Sequence, residues 1–104
     1  MRDGASVGPV NAGVPCYLVE WYHSGLTGDV LGDIASRLGE SAEELSHNQS
    51  QVHLVTMVAV PADEVVFGVF TAVSKSAVTR TCDRAGIPAQ RVTTATEVEF
   101  PRAS

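Results

Sequence analysis

Residues 52–72, VHLVTMVAVPADEVVFGVFTA, carry two runs rich in β-branched side chains on either side of Pro61-Ala62-Asp63. Branched residues fit a pleated, half-buried surface, and a proline followed by a small residue and an aspartate is turn chemistry. The segment therefore predicts an antiparallel hairpin of Val52–Val60 and Glu64–Ala72. With a symmetric loop Val60 faces Val65, which sets Met57 opposite Gly68 and Thr56 opposite Val69. Strict alternation then sorts the hairpin into two faces. One holds Val52, Leu54, Thr56, Val58, Val65, Phe67 and Val69, the other His53, Val55, Met57, Ala59, Val66, Gly68 and Phe70. The first set is denser in branched residues and is expected beneath helices. The second is also largely apolar, where a sheet covered on one side alone would alternate to polar residues.

Working outward, CYLVEWY at Cys16–Tyr22 alternates Tyr17, Val19 and Trp21 with Leu18, Glu20 and Tyr22, which reads as a first strand with its aromatic and valine face inward. Thr27 then caps a helix that has Asp29 in its first turn and an apolar stripe from Val30 through Ile34, Leu38 and Ala42 to Leu45. Gly32 and Gly39 weaken this helix, and Gly39 is a candidate break. Past the hairpin, Ser74 caps a shorter helix with Ala77, Val78, Cys82 and Ala85 on one side. The sequence Arg84-Ala85-Gly86-Ile87-Pro88 stops it: a glycine able to take positive φ, an apolar residue beyond it, then proline. Arg91 to Val98 is the last strand.

The order strand, helix, strand, strand, helix, strand predicts an α+β domain, ferredoxin-like βαββαβ, with a four-stranded antiparallel sheet and two helices on one face. Residues 15–100 form this domain, between a glycine-rich flexible tail at 1–14 and a short tail at 101–104. The second sheet face is wider than the apolar patches monomers leave in water, so a second subunit is expected on it, giving a homodimer shaped as an α+β barrel, the alternative being closure by the amino-terminal tail.

At 104 residues the chain has room for one core. Seven Lys and Arg against twelve Asp and Glu leave a net charge of −5, which disfavours nucleic-acid backbones. No apolar run reaches the roughly 20 residues of a membrane span, and the first residues lack an export pattern, so a cytoplasmic location without membrane partners is the expectation. Cys16 and Cys82 are too far apart for a paired redox motif and read as small hydrophobes. Zinc, calcium, phosphate-loop, dinucleotide and serine-nucleophile spacings are all missing.

The polar groups expected on the second face are Glu20, Tyr22, His53 and Glu97, with Ala95 beside them. These four are the candidate ligand-binding residues, because a few polar groups in an apolar cleft are what orient small ligands. His53 and Glu20 are also the candidate metal ligands: imidazole binds transition metals or accepts protons, and a carboxylate can complete the coordination shell or orient the ring. Met57 reads as a packing residue and only secondarily as a soft ligand. His23 and His47 fall at element ends and read as solvated.

Tyr17-Leu18-Val19-Glu20, Gly25-Leu26-Thr27, Phe67-Gly68-Val69-Phe70 and above all Arg84-Ala85-Gly86-Ile87-Pro88-Ala89-Gln90-Arg91-Val92-Thr93 resemble a family of small bacterial dimeric ferredoxin-like proteins. Most of its members are of unknown function, and one branch binds nickel. The resemblance runs from Tyr17 to Val98 and implies the fold and the homodimer. Family members often carry histidine where Met57 stands and cysteine where Gly68 stands, so this chain departs from the family at both metal-capable positions. Three functions follow as expectations. One is a transition metal such as nickel held in an intersubunit cleft by His53 and Glu20. The second is a cofactor-free monooxygenase or isomerase with His53 or Glu20 as proton acceptor and Trp21 or Tyr22 lining the pocket. The third is a non-catalytic module for a small ligand.

Overall fold

A computed structural model describes residues 16–47 and 51–96. The two tails and Glu97 lie outside the described residues. The elements follow as β1 (Cys16–Tyr22), α1 (Gly28–His47), β2 (Val52–Val60), a 3-10 turn (Pro61–Asp63), β3 (Val65–Ala72), α2 (Lys75–Arg84) and β4 (Arg91–Ala95). The sheet is antiparallel in the order β2-β3-β1-β4, the ferredoxin-like arrangement.

The helix ends follow the sequence signals. Thr27 Oγ1 accepts from the Val30 amide at 3.3 Å, and Ser74 Oγ accepts from the Ala77 amide at 3.1 Å. α1 runs unbroken through Gly39, because packing of Ile34, Leu38, Ala42 and Leu45 on the sheet outweighs the local glycine cost. α2 closes with paired backbone bonds, Ile87 N to Cys82 O at 2.9 Å and Gly86 N to Asp83 O at 3.0 Å, across Gly86 at φ +76°. Ser46 ties α1 to β2: its hydroxyl donates to Val52 O at 3.1 Å and accepts from Val52 N at 3.2 Å. The hairpin turn claims one residue more than expected. Glu64 sits in the left-handed region at φ 53° and bonds back to Pro61 O, so β3 begins at Val65.

The predicted ladder holds from Val60↔Val65 to Thr56↔Val69, including Met57↔Gly68, and then slips by one at a β-bulge between Leu54 and Thr56. That extra residue, Val55, shifts the alternation along β2. Before it, Val52 and Leu54 face the helices; beyond it Met57 and Ala59 do, and all four pack in or against the core.

The expected face assignment is therefore corrected over most of the hairpin. Met57, Ala59, Val66, Gly68 and Phe70 lie beneath the helices, and Thr56, Val58, Phe67 and Val69 lie on the open face. Branch density does not decide the matter; the fit of Trp21 does. β1 pairs Tyr17 with Phe70, Val19 with Gly68 and Trp21 with Val66, so β3 must share the inward face of β1. A Cβ on Gly68 would stand 2.9 Å from the Trp21 ring, so glycine makes room for the indole. The indole meets Phe70 edge-on at 6.4 Å and donates Nε1–H to Ile87 O at 2.9 Å. Val19, Leu38, Val66, Phe70, Ala77, Val78 and Cys82 complete a fully enclosed core. Burial, with a smaller contribution from the Asp83 charge, pushes the Cys82 thiol up to about 12.

Candidate functional site

Among the described residues no element covers the sheet face away from the helices. Cross-strand pairing arranges it in rows: His53, Thr71, Cys16 and Ala95; then Thr56, Val69, Leu18 and Thr93; then Val58, Phe67, Glu20 and Arg91. Val55 and Val58 keep 53% and 55% of their surface exposed. The bulge brings Val55 and Thr56 onto this same face, and beside them the surface dips into a concavity of about 350 Å³. Leu18, Val55, Val69 and Ala95 supply its apolar wall, Cys16, Thr56, Thr71 and Thr96 the remainder.

Glu20 stands at one end of the face with its side chain 16% exposed and already compensated. The Tyr22 hydroxyl donates to its Oε1 at 3.2 Å, and Arg91 Nε lies 3.9 Å from its Oε2. Tyr22 is exposed beyond it. His53 is exposed on the edge strand, at the opposite end, and borders a groove against Gly39, Ala42, Glu43 and Ser46 of α1. Two strand spacings and four residues separate it from Glu20, about 16 Å. One chain thus joins Glu20 to Tyr22 and leaves His53 apart, so a single ion held by both residues needs them from different subunits. Among the described residues no three His, Cys, Asp or Glu side chains converge on a common point. Met57 and Gly68 are cross-strand neighbours, but on the helix side, where the Trp21 ring fills the space over Gly68.

Sequence reasoning missed Arg91 as the partner of Glu20, and it missed Val58, Phe67 and Val69 as the surface of the open face. The signal for the latter was the pairing of a large ring with a glycine: a tryptophan on the inward face of one strand demands the glycine of its neighbour on the same face.

These features define a ferredoxin-like α+β domain with one sheet face uncovered by the described residues. No family model and no curated protein matches the chain. Among solved structures it is similar to the crystal structure of SCO4226 from Streptomyces coelicolor A3(2), with a TM-score of 0.63 and 21% identity over 86% of this chain and 99% of that one. At that identity the likeness shows the fold. No helix among the described residues is long and apolar enough to cross a membrane.

Proposed function

We propose that the protein is a homodimeric binding module that holds a small apolar molecule between two apposed sheet faces. The observation that carries this reading is the apolar concavity of about 350 Å³ set in a face that no other described residues cover. Four strands at about 4.8 Å spacing and seven residues at about 3.3 Å each give a face of roughly 440 Å² in projection. Two copies then bury roughly 900 Å² before side-chain relief is counted, close to the ~1,000 Å² at which specific interfaces begin. Covering the face strands no charge, because Glu20 is already met by Tyr22 and Arg91 of its own chain. The test is a titration of the ¹⁵N-labelled protein with indole. Saturable shifts confined to the Leu18, Val69 and Thr71 amides, lost in Val69→Lys, support the module; shifts that never saturate count against it.

A second reading puts a transition metal such as nickel at the same interface. A two-fold axis in the sheet plane passing near Val69, halfway between His53 and Glu20, sets each chain's histidine over its partner's carboxylate. Saturable Ni²⁺ binding in the untagged protein, weakened by His53→Ala and by Glu20→Gln alike, favours this reading. Binding that neither substitution weakens removes it.

A further inference from the structure

A second concavity, of about 400 Å³, lies off the end of the sheet on the helix side, between α1, the end of β1 and the loop that follows α2. Its apolar lining is Trp21, Ile34, Ile87 and Pro88, and its polar groups are Arg37, Tyr22, His23 and Gln90. This is where Gly86-Ile87-Pro88, the most distinctive sequence signal in the chain, meets the rest of the fold. The helix stop explains Gly86 only in part. Besides its positive φ, a Cβ there would stand 2.7 Å from Arg37 Nη2, so the absent side chain also leaves space for the guanidinium across the loop.

Arg37 is held there loosely. Its Nη1 meets Asp33 Oδ2 at 3.2 Å, one turn earlier on α1, with the two side chains 45% and 63% exposed. An exposed i,i+4 pair of this kind is worth only a few tenths of a kcal/mol, so a ligand carboxylate that binds the guanidinium in bidentate fashion displaces Asp33 at little cost. His23 donates through Nδ1 to Ser24 O at 2.6 Å in its neutral form, which turns Nε2 into an acceptor at the rim. The indole N–H of Trp21 is used by Ile87 O and the residue is only 3% exposed, so it backs the concavity without presenting a competing donor.

We infer that this concavity binds a small organic carboxylate with a flat or branched apolar body. Arg37 takes the carboxylate, and Ile34, Ile87 and Pro88 take the body. Trp21, Ile34 and Arg37 belong to the helix side, and the site meets the open face only through Tyr22, whose hydroxyl reaches Glu20. Its test is an NMR titration of the dimer or monomer as it is isolated, with benzoate as probe and benzamide as the neutral isostere. Benzoate is expected to shift the Trp21 indole and the Gly86 and Gln90 amides saturably, and to bind at least tenfold more tightly than benzamide. Arg37→Met keeps the apolar stem of an exposed residue and should weaken benzoate at least tenfold while the Trp21 indole signal of the free protein stays in place. Equal binding of benzoate and benzamide, binding unchanged in Arg37→Met, or shifts at Leu18 and Val69 instead would each overturn the inference.

Discussion

On the helix side of the sheet Val19, Val66 and Phe70 have no exposed surface, while on the opposite side Val55 and Val58 keep more than half of theirs. Both sides are built from the same kind of residue, on the same strands, one position apart. What separates them is shape. The inward side has a glycine beneath a tryptophan, a phenylalanine edge-on to that ring, and two helices whose stripes fit the result. The outward side has a bulge, a shallow concavity and a neutralised carboxylate. A core and an open face can thus share a composition and differ in whether the described elements supply the cover.

The contrast predicts a descending series of effects. Phe70→Ala, at a fully enclosed site, should lower unfolding stability by about 3–5 kcal/mol in urea titrations. Gly68→Ala forces a methyl against the indole and should cost about 1–3 kcal/mol, with a shifted Trp21 indole resonance. The Cys82 thiol, pushed up to about 12 in the folded chain against 9.0 for a free cysteine thiol, binds its proton more tightly folded than unfolded. Its stabilising contribution is whole below pH 9 and is lost as pH rises from 9 toward 12, by at most about 1.4 kcal/mol per pH unit. Denaturation midpoints of Cys82→Ala should show that slope flattened. Ser74→Ala removes the cap of α2 and should cost about 1 kcal/mol. Phe67→Asp, on the open face, should change the stability of one folded chain by less than about 1 kcal/mol. Its effect falls instead on concentration dependence: the wild-type midpoint should rise with protein concentration and that of Phe67→Asp should not.

Much of this fold was legible in the sequence because its signals are local. Thr27, Ser74 and Gly86-Ile87-Pro88 mark helix ends by chemistry that acts within one turn, and the hairpin register follows from the position of its proline turn. The bulge at Val55 was not legible, since nothing local announces it and one inserted residue inverts every face beyond it. The bulge is what keeps Val52 and Leu54 inward together with Met57, whereas the outward placement of Phe67, Val58 and Val69 follows from the fit between Trp21 and Gly68, which branch density does not reveal. At the site, Glu20 and Tyr22 fell where expected because β1 has no irregularity. Arg91 was missed because its meeting with Glu20 depends on how β4 returns beside β1. The concavity at Arg37 depends on three elements far apart in sequence, which no spacing pattern joins.

Sedimentation equilibrium of the untagged protein at low micromolar concentration, beside Phe67→Asp, tests the proposed pairing of the open faces most directly. The account predicts a particle of twice the 10.9 kDa chain mass for the wild type and a single chain for the variant. Wild-type particles of one chain mass at every concentration would contradict it.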